Sequence, residues 1–213
     1  MDQTDGRRRI GIDFDNTIIS YQRAFLAAAK GSGLLPDSFV GTKQIVRDHI
    51  RRLPDGEREW MRLQGVVYGK RIGDATLIDG VADFLTRCRS AGGAVFIVSH
   101  KTEYGHFDAS GINLRQAALG WMEQQGFFRQ EGYGLATVDV FFESTRAEKL
   151  ARIAALGCTH FIDDLEEVLD DPGFPQGVKR ILFADGSPPA KRLPYPVCMN
   201  WRQIAELVFD ERI

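Results

Sequence analysis

The sequence has no long apolar run and no excess of charge of either sign. Its 27 Lys and Arg residues nearly balance 29 Asp and Glu residues, which leaves a formal charge of -2 at pH 7. So balanced a total argues against a dedicated binder of nucleic acid or membrane surfaces, although a local basic patch does not show in the total. No run approaches the ~20 apolar residues of a membrane span, and no signal-peptide pattern follows Arg7, Arg8 and Arg9. We therefore expect no nucleic-acid partner and no membrane association.

Cysteine is scarce as well. The three cysteines, Cys88, Cys158 and Cys198, lie far apart, and the sequence contains no C-x-x-C pair. Such a set excludes a disulfide framework and argues against a cysteine zinc site. We expect buried free thiols and a location in the reducing cytoplasm.

What the sequence does contain is enough apolar material for a core. Of its 213 residues, 44% are hydrophobic and 26% are charged. At about 150 residues per domain, this length predicts one full domain with an insert.

Strand and helix patterns alternate along most of the chain. Five short apolar runs predict strands that are mostly buried on both faces, at 10–14, 94–98, 138–142, 160–162 and 180–183. Between them, apolar residues recur at helical spacing, as in Val81, Phe84, Leu85 and Cys88. This alternation predicts an α/β fold with a Rossmann-like parallel sheet flanked by helices.

One segment breaks the alternation. Residues 20–75 contain helical patterns near 21–30, 42–53 and 56–68, without a strand pattern. We expect a small α-helical insert there, and a core formed by residues 1–19 and 76–213. Residues 40–75 hold eight Lys or Arg and five Asp or Glu, so this part is basic and the remainder is acidic.

Reactive polar residues follow the predicted strands. Asp13 and Asp15 follow the first strand, Ser99 ends the second, Lys149 lies in the helix after the third, and Asp163-Asp164 ends the fourth. The carboxyl ends of parallel strands meet at one edge of the sheet, where ligands bind. Several carboxylates with one lysine suit a hard cation together with a phosphate group, and Mg²⁺ prefers oxygen ligands.

In this order, the motifs resemble those of the haloacid dehalogenase superfamily, whose members are mostly magnesium-dependent phosphatases. The chain is similar to the family's Asp-x-Asp-x-Thr motif at 13–17, to its strand-ending Ser or Thr at Ser99, to its helix-start Lys at Lys149, and to its acidic pair at 163–164. The resemblance covers residues 9–185, apart from the details of the insert. It implies that the insert is one of the family's small helical caps, which close over the site and select the substrate.

The resemblance implies a catalytic role for each motif residue. Asp13 is expected to attack phosphorus and form an aspartyl-phosphate. Asp15 is expected to protonate the leaving alcohol and then to activate water. Ser99 and Lys149 are expected to bind the phosphoryl oxygens. Thr17 is expected to support the loop.

The same resemblance implies Mg²⁺ as the cofactor. Its expected ligands are the carboxylates of Asp13 and Asp163 and the backbone carbonyl of Asp15, with Asp164 either ligating the ion or orienting a bound water. The choice between Asp163 and Asp164 stays open, because the fourth motif continues into Glu166 and Glu167 rather than matching the family's Gly-Asp pattern.

Other residues are weaker candidates for substrate binding. Arg146 competes with Lys149 for the role of the phosphate-binding cation, because both lie in the same predicted helix start. His100 and Lys101 follow Ser99 in a predicted loop. The sequence is equally consistent with contact to the substrate and with a plain surface position for these two residues. Asn16 stands where the family commonly has Gly, and Asn tolerates left-handed backbone angles less freely.

These observations predict a magnesium-dependent hydrolase acting on phosphoric monoesters. We expect a small phosphorylated substrate, a sugar phosphate ahead of a nucleotide. Within the family, the second Asp favours phosphate chemistry, since dehalogenases lack it. A phosphomutase or phosphotransferase with the same nucleophile, or a non-catalytic phospho-binding module, remains an alternative. The sequence leaves the oligomeric state open, including a homodimer.

Overall fold

The structure, a computed structural model, describes residues 7–107, 109–186 and 188–209. The strands in these residues are β1 (Arg9–Ile12), β2 (Ile19–Ser20), β3 (Thr76–Leu77), β4 (Ala94–His100), β5 (Val140–Glu143), β6 (His160–Asp163), β7 (Lys179–Phe183) and β8 (Val197–Cys198). The helices are α1 (Gln22–Gly31), α2 (Lys43–Ile50), α3 (Gly56–Tyr68), α4 (Val81–Ser90), α5 (Leu114–Gln124), α6 (Arg146–Ala155), α7 (Glu166–Leu169) and α8 (Trp201–Phe209).

The chain divides into two compact units. Among the described residues, the first contains 7–18, Ile78–His100 and those from Gly126 to Phe209. The second contains Ile19–Leu77 together with Lys101–Gln125. The second unit is therefore larger than the insert predicted at 20–75, because a separate later segment joins it.

A parallel sheet forms the centre of the first unit. Its strand order is β5-β4-β1-β6-β7-β8, and every neighbouring pair is parallel. In the sheet, β4 and β5 lie on one side of β1, whereas β6, β7 and β8 lie on its other side. The end of β1 is thus the point where the strand order reverses, which is the usual ligand position in such sheets. The predicted Rossmann-like sheet flanked by helices is confirmed.

Close packing on β1 explains one glycine in an otherwise apolar strand. Ile10 and Ile12 are fully buried, and Gly11 pairs in register with Phe161 of β6. A Cβ atom on Gly11 would lie 2.6 Å from the Phe161 ring, which is closer than real side chains approach. Gly11 therefore lets the Phe161 ring pack directly against the backbone of β1.

The ends of the predicted strands differ in informative ways. The apolar pattern predicted a strand to Phe14, but β1 ends at Ile12, and the left-handed turn at Asn16, whose φ is 61°, follows four residues later. The strand predicted from 138 starts at Val140, because residues Thr137–Asp139 form a 3₁₀ turn. The sequence analysis missed β8 and α8.

The second unit is mainly helical and has its own aromatic core. The Phe25 and Trp60 rings stack with centroids 4.7 Å apart, and the Tyr21 and Tyr68 rings meet edge to face at 4.8 Å. In the later segment, Trp121 of α5 donates its indole N–H to the Ala75 carbonyl over 3.3 Å. The helices predicted near 21–30, 42–53 and 56–68 correspond to α1, α2 and α3.

Two smaller expectations concern the thiols and the membrane. All three cysteines are buried and free, and burial raises the pKa of Cys158 and Cys198 to about 11. The expected buried thiols are thus confirmed. Within the described residues, none of the helices combines the length and the apolar character that crossing a membrane requires.

Candidate active site

Asp13 lies directly after β1, at the point where the strand order reverses. Its backbone N–H still donates to the Ile162 carbonyl of β6 over 2.9 Å, so its Cα is held by the sheet. Asn16 then adopts a left-handed conformation, and the Ile18 N–H donates back to the Phe14 carbonyl over 3.0 Å. A tight loop therefore follows the strand and keeps the Asp13 carboxylate buried at the sheet edge.

Two donors converge on one oxygen of Asp13. Ser99, near the end of β4, donates its hydroxyl to Oδ1 over 2.9 Å. The Lys149 ammonium donates to the same oxygen over 2.7 Å. The Thr17 hydroxyl faces Oδ2 at 3.5 Å, a long contact. Three polar residues from a strand, a helix and a loop thus orient a single carboxylate.

Lys149 also links Asp13 to the acidic pair. Its ammonium donates to Asp163 Oδ2 over 2.6 Å, while Asp163 Oδ1 accepts the Leu165 N–H over 2.9 Å. Asp163 is fully buried, and Lys149 is only 1% exposed. A buried lysine between two carboxylates neutralises part of the repulsion that would otherwise prevent both from being ionised.

Burial and charge compete for the protonation of this cluster. Burial alone lowers the pKa of Lys149, but the charges of Asp13 and Asp163 outweigh burial and hold that pKa above its ordinary value. Burial raises the pKa of Asp163 to about 6, and Asp13 adds to the rise while Lys149 opposes it. At neutral pH, Lys149 is therefore charged and Asp163 is mainly ionised.

The acidic pair and Asp13 also form a set of metal-ligand type. One carboxylate oxygen from each of Asp13, Asp163 and Asp164 lies within 4.8 Å of the others. Hard oxygen donors at such separations fit a divalent cation that keeps water in its remaining positions. The Asp15 carboxylate is outside this set, so any part of Asp15 in a metal site is left to its backbone carbonyl.

The substrate-binding candidates lie in different surroundings. Arg146, the first residue of α6, is half-exposed and pairs with Glu167 at 2.8 Å. His100 is exposed, and its Nε2 lies 2.9 Å from the Ser144 carbonyl. Lys101 is buried in the second unit, where its ammonium lies 5.0 Å from the centre of the Tyr68 ring. Lys149, rather than Arg146, is the cation on Asp13.

Two supporting contacts were missed by the sequence analysis. The Thr145 hydroxyl and the Glu148 carboxylate form a capping box at the start of α6, so they set the orientation of the helix turn that carries Lys149. The Thr-x-x-Glu spacing at 145–148 was the signal for it. Trp201 donates its indole N–H to the Thr17 carbonyl over 3.0 Å and so holds the loop after β1. No local pattern links Trp201 to that loop, because 184 residues separate the two.

Comparison with known proteins finds matches among solved structures but none among family models or curated sequences. Several solved structures match over almost the whole chain. The Protein Tyrosine Kinase A of Mycobacterium tuberculosis has a TM-score of 0.61 at 14% identity, covering 96% of this chain and 99% of its own.

Two further structures are described as hydrolases of the haloacid dehalogenase (HAD) superfamily. One, from Geobacter sulfurreducens PCA and of subfamily IA, has a TM-score of 0.56 at 15% identity and covers 95% of this chain and 96% of its own. The other, from Deinococcus radiodurans R1 with bound phosphate and sodium, has a TM-score of 0.55 at 12% identity and covers 96% of both chains. At such identities the likeness is one of fold, and it agrees with the resemblance found in the motifs.

Proposed function

We propose that this chain, which has the fold of haloacid dehalogenase superfamily hydrolases, is a magnesium-dependent phosphatase of small phosphorylated metabolites. The observation that carries the proposal is the buried cluster in which Ser99 and Lys149 both donate to Asp13 Oδ1, next to the acidic pair 163–164. A sugar phosphate is the first expected substrate class and a nucleotide the second.

In this proposal, Asp13 is the nucleophile. A carboxylate oxygen of Asp13 attacks phosphorus, the bond to the alcohol oxygen breaks, and an aspartyl-phosphate forms. Water then attacks the phosphorus of this intermediate, which releases inorganic phosphate and restores the Asp13 carboxylate. The buried, hydrogen-bonded position of Asp13 favours one orientation of its carboxylate, which lowers the entropic part of the barrier.

Ser99 and Lys149 bind the phosphoryl oxygens. Both already donate to Asp13, so a phosphoryl group bound to that carboxylate lies next to a hydroxyl and an ammonium. Donors that point at developing negative charge in a dry site contribute more to rate than the same donors in water. The positive charge of Lys149 also offsets the repulsion between Asp13 and an anionic substrate.

Asp15 is the proton donor and acceptor of the proposal. It lies two residues after Asp13 and is partly exposed, so it is open to a leaving group or to water. Its acid form gives a proton to the departing alcohol oxygen, and its carboxylate then removes a proton from the attacking water. Such transfers contribute on the order of 10²–10⁴-fold to rate.

Mg²⁺ fits the carboxylates present, and Asp13, Asp163 and Asp164 would hold it together with the Asp15 carbonyl. When bound, it supplies positive charge that stabilises the phosphoryl oxygens and the charge of the attacking carboxylate. Lys149 pairs with the carboxylates of both Asp13 and Asp163 and so holds them close together when no cation is present.

A phosphoryl transferase or mutase is the second candidate. One structure with the same fold is named a protein tyrosine kinase, an activity in which a hydroxyl rather than water accepts the phosphoryl group. The aspartyl-phosphate would be shared by both reactions, and they differ only in the acceptor. A dehalogenase is less favoured, since Asp15 stands at the position that dehalogenases of the resembling family lack.

The test is a panel of sugar phosphates, nucleotides and aryl phosphates, assayed with MgCl₂ and with EDTA. We expect magnesium-dependent release of inorganic phosphate from at least one sugar phosphate. Isomerised or transferred product without phosphate release would favour the second candidate. If no ester turns over, or if turnover is equal in EDTA, the proposed phosphatase is wrong.

A further inference from the structure

A basic cavity lies at the opposite end of the sheet of the first unit, where its strands begin. This cavity has a volume of about 790 Å³ and is lined by Arg7, Arg8 and Arg9 together with Lys179. Arg9 starts β1 and Lys179 starts β7, whereas Asp13 follows the other end of β1. The four residues of β1 span about 13 Å, so the cavity is separate from the candidate active site.

The three arginines are held in the same way. The Nε of Arg8 donates to the Val208 carbonyl over 2.9 Å, and that of Arg9 to the Leu156 carbonyl over 2.7 Å. The Nε of Arg7 donates to the Gly92 carbonyl. The guanidinium groups of Arg8 and Arg9 also lie over aromatic rings, 5.4 Å from the centre of Phe209 and 4.9 Å from that of Phe96.

Among the described residues, the terminal nitrogens of these arginines have no hydrogen-bond acceptor. An Arg side chain has five N–H donors, and only the Nε donor of each of these arginines makes a hydrogen bond to a described residue. The two Nη groups form the fork that binds a phosphate or carboxylate through two parallel hydrogen bonds. The forks are positioned by the carbonyls and the rings, so a bound anion orders them at low entropic cost.

Acidic side chains are missing from this cavity. None of its lining residues is Asp or Glu, and within residues 7–107, 109–186 and 188–209 no carboxylate forms an ion pair with the three arginines. By contrast, Arg146, Arg152 and Arg71 all pair with carboxylates. Four basic residues in the lining, with no acidic one among them, give the cavity a positive potential.

A purely structural role accounts for part of this arrangement. The carbonyls of Leu156 and Val208 lie at the ends of α6 and α8, where cations favour the helix dipole. That role needs one donor from each side chain. It does not account for a cavity of metabolite size whose lining contains four basic residues and no acidic one.

We propose that this cavity binds a small polyanion, a metabolite with several phosphate or carboxylate groups. The volume suits a small molecule, and the balanced total charge of the chain disfavours a long polyanion such as nucleic acid. The proposal does not depend on the proposed phosphatase activity, because none of its residues belongs to the candidate active site.

The test is titration calorimetry with tripolyphosphate, citrate and ATP, and with a short single-stranded oligonucleotide, in EDTA at low salt. We compare the wild-type chain with a variant in which Arg7, Arg8 and Arg9 are all replaced by Gln. The matched control replaces the exposed Arg129, Arg192 and Arg202 by Gln, which removes the same charge elsewhere. A Ser99→Ala variant tests whether the anion binds at the candidate active site instead.

We expect at least one of the three anions to bind the wild type, and its affinity to fall at least tenfold in the arginine variant. In the charge-matched control and in Ser99→Ala, it should change by less than twofold. Tripolyphosphate and citrate distinguish phosphate from carboxylate groups, and ATP tests a nucleoside polyphosphate. If the triple variant does not fold, Arg7→Gln alone should weaken binding at least twofold.

Three results would overturn the proposal. The first is that none of the three anions binds the wild type, or that the anion which binds does so equally well in the arginine variants. The second is an equal loss of affinity in the charge-matched control, which would mean that the net charge of the protein, rather than this cavity, attracts the anion. The third is a single-stranded oligonucleotide that binds through the same arginines more tightly than any of the small anions.

Discussion

Positively charged side chains differ in burial and in hydrogen-bond partners between the two ends of β1. Beyond its carboxyl end, Lys149 is buried and shared between the carboxylates of Asp13 and Asp163 at 2.7 and 2.6 Å. At its amino end, Arg8 and Arg9 are partly exposed and donate to backbone carbonyls rather than to carboxylates.

The difference separates two uses of a cation on one scaffold. A buried ammonium between carboxylates cannot be removed without leaving unpaired buried charge, so Lys149 is tied to the integrity of the site. A half-exposed guanidinium that donates to a carbonyl has no ion pair that must break when an anion binds. We therefore expect changes at the carboxyl end to affect both chemistry and stability, and changes at the amino end to affect mainly anion binding.

The largest effect is expected for Asp13→Asn. The amide is a poor nucleophile, so magnesium-dependent turnover of the best substrate should fall on the order of 10⁴-fold or more. Asp83→Asn, on the exposed side of α4, removes the same charge and should keep the wild-type rate. A steady-state assay of phosphate release decides this, and an Asp13→Asn variant with wild-type turnover would remove Asp13 as the nucleophile.

Lys149→Met should lower both turnover and stability. We expect a loss of about 10²–10³-fold in kcat, because one donor to the phosphoryl group is removed. The free energy of unfolding should fall by about 3–5 kcal/mol at pH 7, because Asp13 and Asp163 are left as buried neighbouring carboxylates.

Arg152→Met is the control for Lys149→Met, because it removes a cation from a partly exposed ion pair. Arg152 is half-exposed and pairs with Glu143 at 2.8 Å, so its loss should cost about 0–1 kcal/mol. Urea unfolding of both variants measures the contrast. Equal destabilisation of the two would show that the Lys149 pairs are no more important than a surface pair.

Magnesium affinity should depend on pH through Asp163. Its pKa is raised to about 6, above the ordinary value of a carboxyl group, so in the metal-free chain it gains a proton as the pH falls through 6. A protonated carboxyl does not bind a cation, so the dissociation constant should rise about tenfold between pH 7.5 and pH 5. Calorimetric titration with MgCl₂ measures it, and a constant affinity over this range would contradict the ionisation that we assign to Asp163.

The smallest effect is expected at the amino end. Arg9→Gln removes one hydrogen bond to the Leu156 carbonyl, so unfolding should become easier by only about 1 kcal/mol. Turnover should stay within twofold of wild type, since the Arg9 side chain lies at the far end of β1 from Asp13. Thermal unfolding and the phosphate-release assay test both parts. A large loss of turnover would mean that the two ends of the strand are coupled.

The positions of the polar strand ends were predictable because topology alone brings them together. Once 10–14, 94–98 and 160–162 are recognised as parallel strands, Asp13, Ser99 and Asp163 must lie at one edge. Asn16 stands where the resembling family commonly has Gly, and the structure shows that it adopts the left-handed conformation, with a φ of 61°.

Other features depend on contacts that no local pattern contains. The bonds of Lys149 to two carboxylates follow from the packing of α6, and Lys149 lies 136 residues from Asp13. The strand β8 has two residues, too few for an apolar pattern. The segment Lys101–Gln125 joins the second unit through tertiary packing, so its membership was not visible at 20–75. In α8, however, Trp201, Ile204 and Val208 are spaced as in a helix, and this signal was missed.

The most direct test of the central claim is to trap the covalent intermediate. The protein is mixed with MgCl₂ and its best substrate, quenched in acid within milliseconds, and reduced with borohydride, which converts an acyl phosphate of Asp into homoserine. Mass spectrometry of the peptides then locates the change. Our account predicts homoserine at position 13, only when substrate and magnesium are both present. Homoserine at Asp15 or Asp163, or turnover without any reducible acyl phosphate, would contradict it.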